Sequence, residues 1–143
     1  MNKSHLTATT RKKPSRPMLW IYSNKTISRD VLDYGCGKGF DFKFYDIDGY
    51  DPYYYPKFPE KKYDFIMCNF VLNVVEEKER QEIISNVKSL LKTEGTAFFT
   101  VRRDIKKEGL TSRGTEQWNV CLDMNIVFEN NDFCIYEFKN ERA

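Results

Sequence analysis

Three glycines at alternate positions constrain this chain of 143 residues more than any other feature. Gly35, Gly37 and Gly39 directly follow a short apolar segment, Val31–Tyr34, which has the composition of a buried β-strand. Glycines at such a place let the backbone turn tightly and approach a bound ligand, because no Cβ intervenes. The order of strand, glycine loop and helix predicts the start of a βαβ unit, and therefore a mainly parallel sheet.

The rest of the chain continues this alternation. A short helix and a short strand ending near Asp51 follow the glycine loop, and the turn Asn130-Asn131 separates two apolar runs that predict an antiparallel hairpin. The other predicted elements are strands over Tyr63–Cys68 and Thr96–Val101, and a helix over Glu76–Lys92 that ends before Gly95. The pattern predicts a compact α/β protein, a three-layer sandwich whose mainly parallel sheet carries a C-terminal antiparallel hairpin.

Composition excludes several classes of protein. Hydrophobic residues make up 41% of the chain and aromatic residues 15%, too much for a chain that stays disordered. We expect a basic N-terminal arm over residues 1–17 and a single domain over residues 18–143. No apolar run is long enough to span a membrane, and the arm lacks the apolar core of a secretory signal, which favours a cytoplasmic protein. With one histidine and no C-x-x-C spacing, we expect no metal site.

The net charge of +2 is unevenly distributed. Residues 1–30 hold a large excess of lysine and arginine, and residues 102–113 form a second basic stretch within an otherwise acidic body. Two such segments favour a polyanionic or phosphate-bearing partner, although a solvated arm and loop would have the same composition. The candidate phosphate contacts are Arg102, Arg103 and Arg113.

The glycine spacing argues against a dinucleotide. The dinucleotide fingerprint G-x-G-x-x-G needs its third glycine three residues after the second, whereas Gly39 follows Gly37 by two. Asp33, two residues before the first glycine, would repel a pyrophosphate and favours a cationic ligand instead. An NAD-binding module is therefore poorly supported.

Asp33 with the three glycines resembles motif I of the class I S-adenosylmethionine-dependent methyltransferases. Asp51 matches the family's acidic residue at the end of strand two, which accepts hydrogen bonds from the ribose hydroxyls. The resemblance implies a Rossmann-like fold, S-adenosyl-L-methionine as cofactor, and methyl transfer. It also implies a set of cofactor contacts: Asp33, Gly35, Cys36, Gly37, Gly39, Asp51, Asn69 and Phe70.

Further segments, in order along nearly the whole chain, resemble a bacterial group of methyltransferases associated with DNA phosphorothioation loci. The matching segments are RKKPSRP, VLDYGCGKGFD, GYDPYYYP, CNFVLNVVE, TVRRD and TSRGTEQ. This resemblance implies a nucleic acid or another phosphate-bearing acceptor. The corresponding substrate contacts would be Asn73, Arg102, Arg103 and Arg113.

The chain departs from the family in ways that affect function. The interval between Asp51 and Tyr63 is too short for the usual helix and third strand, so we expect strand three to be missing and the aromatic YYYP loop to form a wall for the adenine. Asn69-Phe70-Val71-Leu72 replaces the tetrad of DNA amino-methyltransferases, and no catalytic residue can be assigned. A non-catalytic, S-adenosylmethionine-binding regulatory protein is the alternative hypothesis.

Overall fold

The computed structural model describes residues 3–141, in which helices and strands alternate as far as Tyr50 and the last five elements are all strands. Its helices are α1 (Arg16–Asn24), α2 (Phe40–Phe44) and α3 (Glu77–Ser89), with 3-10 turns at Ser4–Thr7 and Leu72–Val74. Its strands are β1 (Val31–Tyr34), β2 (Asp48–Tyr50), β3 (Tyr63–Asn69), β4 (Leu91–Arg102), β5 (Gly109–Leu110), β6 (Glu116–Gln117), β7 (Asn125–Glu129) and β8 (Phe133–Lys139).

Six of these strands form one sheet in the order β2-β1-β3-β4-β8-β7. The first four run parallel, and β8 pairs antiparallel with both β4 and β7. Within residues 3–141, no strand lies outside β2, which is an edge strand. The predicted α/β sandwich, with its C-terminal hairpin and its missing third strand, is confirmed.

Each face of the sheet is covered by one of the two longer helices. Met18 and Ile21 of α1 pack against Met67 and Phe98 on one face. On the other face, α3 contributes the buried side chains Ile84 and Val87 to the larger cluster. The successive residues Ala97, Phe98 and Phe99 of β4 alternate between these two clusters, as the period of a strand requires.

The strand after α3 begins earlier than its composition predicts. The helix ends at Ser89 and β4 starts at Leu91, so Gly95 lies inside the strand instead of ending the helix. Tyr63 pairs with Leu91, and the register then shifts so that Phe65 pairs with Thr96. Long-range pairing with β3 therefore extends the strand beyond the segment with strand propensity.

The N-terminal segment is folded against the body of the protein. Arg16 begins α1, with Pro17 in the first turn, where a missing N–H costs nothing. The backbone N–H and the hydroxyl of the buried Ser15 both donate to the Asp41 carboxylate, at 2.9 and 2.7 Å. Ser15 is thereby fixed to α2. No helix within the described residues has the length and apolar character needed to cross a membrane.

Candidate functional site

A cavity of about 520 Å³ lies at the carboxyl ends of β1 and β3. The chain leaves β1 for β2 on one side and returns to β3 on the other, so this is the point where the strand order reverses. Ligands of open α/β sheets bind at such a point. All the predicted cofactor contacts line the cavity: Asp33, Gly35, Cys36, Gly37, Gly39, Asp51, Asn69 and Phe70.

Gly35 and Gly39 fit the wall of the cavity only because they lack a Cβ. Gly39 has φ +91°, and a Cβ there would lie 2.6 Å from the Phe42 ring and 2.9 Å from the Tyr55 ring. A Cβ on Gly35 would collide with the side chain of Val71. These glycines therefore let the loop approach the side chains of Val71 and Tyr55 closely.

Asp51 holds the glycine loop and the loop after β2 together. Its carboxylate accepts hydrogen bonds from the backbone N–H groups of Gly37, Tyr53 and Tyr54, each at 3.0 Å. A carboxylate has about four acceptor sites, so roughly one stays available on the side that lines the cavity.

The Asp33 carboxyl group is buried in the cavity wall with 3% exposure. No group within residues 3–141 donates a hydrogen bond to it. Burial, together with the nearby carboxylates of Asp41 and Asp51, raises the pKa of Asp33 well above its usual value, and the positive charge of Arg11 opposes that shift. A buried carboxylate without partners is costly, and a cation beside it would relieve that cost.

The end of β3 places a hydrogen-bond donor in the cavity wall. The Thr100 hydroxyl donates to the side-chain oxygen Oδ1 of Asn69 at 2.7 Å, which leaves the buried side-chain nitrogen Nδ2 of Asn69 without a partner in the described residues. The next residue, Phe70, has φ +61°, a conformation that costs an L-residue about 1–2 kcal/mol. Nothing in the sequence signals that strain, which lies in the cavity wall.

The N-terminal segment, which the sequence predicts as a basic arm, lines part of the cavity. Its lining residues are Ser4, His5, Thr7, Ala8, Thr9 and Arg11. Ala8 approaches so closely that a Cβ on Gly37 would lie 3.2 Å from the Ala8 Cβ. The Lys38 ammonium donates to the Thr10 hydroxyl at 3.0 Å, so the segment is tied to the glycine loop.

Helix α3 contributes a second unforeseen group of lining residues. Glu79, Glu82, Ile83 and Asn86 face the cavity. Their spacing of three, four and seven residues places them on one face of a helix. The sequence signal that could have indicated this role is the helical spacing of these four residues, three of which are polar.

The predicted substrate residue Asn73 lies outside the cavity lining. Its fully buried amide donates to the Trp118 carbonyl at 2.8 Å and accepts from the Arg102 backbone N–H at 2.7 Å. It therefore joins the end of β4 to the segment after β6.

The three predicted arginine contacts are not among the cavity-lining residues either. Arg102 and Arg103 form exposed ion pairs, at 2.7 Å with Asp104 and at 2.8 Å with Glu129. Arg113 donates to the Leu6 carbonyl oxygen at 3.1 Å.

The contact between Arg113 and Leu6 brings the two basic segments together. The Lys3 ammonium lies beside Gly114, 3.5 Å from the point that a Cβ on that glycine would occupy. Segments separated by about a hundred residues thus meet next to the part of the chain that closes the cavity.

Solved methyltransferase structures share this fold. Magnesium protoporphyrin IX methyltransferase (ChlM) of Synechocystis PCC 6803, with bound SAM, is 15% identical with a TM-score of 0.54, over 87% of this chain and 76% of that chain. N-methyltransferase NodS of Bradyrhizobium japonicum WM9, in complex with S-adenosyl-L-homocysteine, is 14% identical with a TM-score of 0.56, over 88% and 85%. The PH0226 protein of Pyrococcus horikoshii OT3 is 15% identical with a TM-score of 0.58, over 88% and 87%.

At such low sequence identity, the similarity to these structures shows a common fold. No curated protein matches the chain. The sequence itself matches a family described as "Methyltransferase domain" over residues 5–133. That range covers the glycine loop, the cavity and most of the N-terminal segment that closes it. The chain belongs to the methyltransferase domain family.

Proposed function

We propose that the protein transfers the methyl group of S-adenosyl-L-methionine to an acceptor that carries phosphate. The observation that carries the first part is Asp33, a buried carboxyl group in the cavity wall that receives no hydrogen bond within the described residues. S-adenosylmethionine brings a positive sulfonium and a positive amino group, which would compensate that carboxylate. A dinucleotide, with its negative pyrophosphate, would add to the repulsion.

The remaining lining residues fit the same ligand. The glycine loop gives close access to backbone groups, Asp51 has acceptor capacity for ribose hydroxyls, and Asn69 offers an unused N–H donor. These groups surround one continuous space of about 520 Å³. We therefore assign the cofactor contacts to the same residues that the sequence predicted.

When bound, S-adenosylmethionine supplies a methyl group on a sulfur that leaves as a neutral thioether. The demand on the protein is then to align the acceptor with the methyl group and to exclude water. Asp33 and Asp51 would bind the two polar parts of the cofactor, and Asn69, whose side-chain oxygen accepts a hydrogen bond from Thr100, would keep its N–H available as a donor. Residues of the N-terminal segment line the same cavity as the glycine loop.

The second part of the proposal, a phosphate-bearing acceptor, is supported by the meeting of the two basic segments at Arg113 and Leu6. Lys12 and Lys13, in the same N-terminal segment, are exposed and add to its positive charge. The resemblance to the methyltransferases of DNA phosphorothioation loci makes a nucleic acid the acceptor to test first.

The cofactor assignment is tested by calorimetric titration with S-adenosylmethionine. We expect Asp33→Asn to weaken binding by about 1–3 kcal/mol, because a charged hydrogen-bonding partner is lost. Asp123→Asn makes the same chemical change at a residue away from the cavity and should bind like the wild type. Equal affinities for all three proteins would contradict the assignment.

The acceptor is tested with radiolabelled methyl groups and total nucleic acid. Labelled nucleic acid is the expected product, and binding should weaken steeply as salt rises. The double variant Lys12→Ala/Lys13→Ala should reduce both the labelling and the binding of nucleic acid. The control Lys62→Ala/Lys78→Ala, which removes two exposed lysines elsewhere, should reduce neither. Labelling of a metabolite or protein in place of nucleic acid would contradict the acceptor but not the cofactor.

A further inference from the structure

The N-terminal turn, Ser4–Thr7, has two sides that contact different parts of the protein. On one side, its cavity-lining residues are Ser4, His5 and Thr7. Lys3 and Leu6 are exposed and are not among the lining residues. Residues three apart lie on the same side of a 3-10 helix, and the Leu6 N–H donates to the Lys3 carbonyl oxygen at 2.9 Å. One short turn therefore connects the cavity with the surface that Lys3 and Leu6 contact.

That surface is the β5–β6 hairpin, residues 109–117. The Arg113 guanidinium donates to the Leu6 carbonyl oxygen at 3.1 Å. The Lys3 ammonium lies 3.5 Å from the point that a Cβ on Gly114 would occupy. Two cations from distant parts of the chain therefore meet where the turn contacts the hairpin.

The hairpin is anchored to the body of the protein independently of the turn. Directly after β6, Trp118 and Asn73 are joined by two hydrogen bonds. The Trp118 N–H donates to the Asn73 carbonyl oxygen at 2.7 Å, and the Asn73 side-chain amide donates to the Trp118 carbonyl oxygen at 2.8 Å. The hairpin thus gives a fixed surface against which the N-terminal turn docks.

The positive charges at this contact are not compensated. Within residues 3–141, neither Lys3 nor Arg113 forms an ion pair. The one acidic residue of the hairpin sequence, Glu116, accepts a hydrogen bond from the Trp118 indole N–H at 3.0 Å. Neighbouring cations repel each other, and an anion bound to both would replace this repulsion by attraction.

A phosphate group fits the donors that meet here. Arg113 and Lys3 are both exposed, so an anion can reach them from solvent. A guanidinium has five N–H donors, and the bond to the Leu6 carbonyl oxygen uses one of them. Charge-assisted hydrogen bonds from arginine and lysine to phosphate oxygens are strong, and a phosphate has enough oxygens to accept from both residues.

The opposite side of the same turn is held at the cavity. The His5 ring stacks on Tyr53 with centroids 3.9 Å apart, and both residues line the cavity. One residue separates His5 from Lys3, and the Thr7 hydroxyl closes the turn by donating to the Ser4 carbonyl oxygen at 2.6 Å. A ligand that fastens Lys3 to the hairpin would therefore also restrict the movement of His5 at the cavity.

We propose that Lys3 and Arg113 together bind one phosphate of a nucleic-acid acceptor, and that this contact fastens the N-terminal turn and strengthens cofactor binding. Bound cofactor then strengthens the binding of nucleic acid by the same factor, because such coupling is reciprocal. This inference rests on the proposed function and adds a coupling between its two ligands.

The test is calorimetric titration of the full chain with S-adenosylhomocysteine, with and without a saturating short thymidine oligonucleotide. S-adenosylhomocysteine has no methyl group to transfer, so the titration measures binding alone. The oligonucleotide should raise the affinity of the wild type for S-adenosylhomocysteine by about fivefold or more. Lys3→Ala and Arg113→Ala, each saturated with oligonucleotide, should show a change of less than about twofold. Lys3→Arg keeps the positive charge and should retain the effect.

The matched control is Lys62→Ala, which removes an exposed lysine directly before β3, at the end of that strand opposite the cavity. It should respond to the oligonucleotide as the wild type does. Inorganic phosphate, at the same concentration of phosphate groups, is the probe for a free anion. An effect equal to that of the oligonucleotide would overturn nucleic acid as the ligand of this site.

The remaining outcomes separate this inference from the proposed function. If the wild type binds S-adenosylhomocysteine equally with and without bound oligonucleotide, or if both alanine variants keep the full effect, the coupling is overturned while the proposed cofactor stands. A wild type that binds no oligonucleotide would overturn the proposed acceptor and the coupling together. Failure to bind S-adenosylhomocysteine would overturn the proposed cofactor.

Discussion

The imidazole of His5 lies parallel to the phenol ring of Tyr53, with ring centroids 3.9 Å apart and planes inclined by 8°. The adjacent Tyr54 hydroxyl donates to the His5 carbonyl oxygen at 3.4 Å. The N-terminal segment is thus held on the loop that follows β2, and both line the cavity. We therefore expect the segment to slow the release of a bound cofactor.

Removal of residues 1–10 is expected to increase the dissociation rate of S-adenosylmethionine by about tenfold or more, because the cover is lost while the glycine loop stays. The sequence alone placed the end of the arm at residue 17. Ser15, bonded to Asp41 within the body, shows that a deletion reaching residue 16 would also disturb α2. Stopped-flow measurement of cofactor release checks the rate, and an unchanged rate would contradict the role of the segment.

The Asp33→Asn variant should be more stable than the wild type at neutral pH when no cofactor is bound. The raised pKa means that the folded protein favours the protonated carboxyl, so the stability it contributes is present at low pH and is lost as the pH rises through the folded pKa. The variant has no titratable group at this position. Above that pH, its free energy of unfolding should therefore exceed that of the wild type by about 1–2 kcal/mol.

Urea unfolding across a pH series checks this effect. The two proteins should be nearly equal at acid pH and diverge as the pH rises, the opposite of the behaviour of a salt-bridged aspartate. A wild type that gains stability relative to the variant on going to neutral pH would show that the buried carboxylate is compensated within the protein.

Gly39→Ala is expected to destabilise the fold by about 2–4 kcal/mol and to abolish cofactor binding. The new Cβ adds a collision with the Phe42 and Tyr55 rings to the cost of a positive φ. Gly109→Ala is the matched control, because Gly109 has φ +107° and nothing within 4 Å of a Cβ. Gly109→Ala should lower the free energy of unfolding by only about 1–2 kcal/mol. Equal losses of unfolding free energy would show that the loop has room for a side chain.

Asn73→Ala should destabilise the protein by about 2–3 kcal/mol, because it leaves the Trp118 carbonyl and the Arg102 N–H without their buried partner. Denaturant unfolding measures the loss. If Asn73 instead contacts the acceptor, as the sequence suggested, the variant would keep its stability and lose turnover.

Sequence patterns predicted correctly the elements whose structure depends on residues that are close together in the sequence. β1 was predicted over Val31–Tyr34 and has those bounds, because an apolar run ended by glycines can form little else. All eight predicted cofactor contacts line one cavity, since the carboxyl ends of parallel strands share one edge of the sheet. The family and the fold followed from the same residues.

Contacts between distant segments could not be predicted. The charge pattern marked Arg103 as a phosphate contact, but its partner Glu129 belongs to a strand that only the folded sheet brings near. The stacking of His5 on Tyr53 and the strain at Phe70 likewise depend on packing, which leaves no local pattern in the sequence.

The edge of the sheet at β2 is protected from association with other chains. Strand edges with unpaired N–H and C=O groups invite intermolecular pairing and aggregation. β2 has only three residues, and directly after it Asp51 and Tyr55 exchange two backbone hydrogen bonds of 3.0 Å, which turn the chain back on itself. At this edge the domain therefore presents no long template to a second molecule, so the absence of an outer strand beside β2 need not promote aggregation.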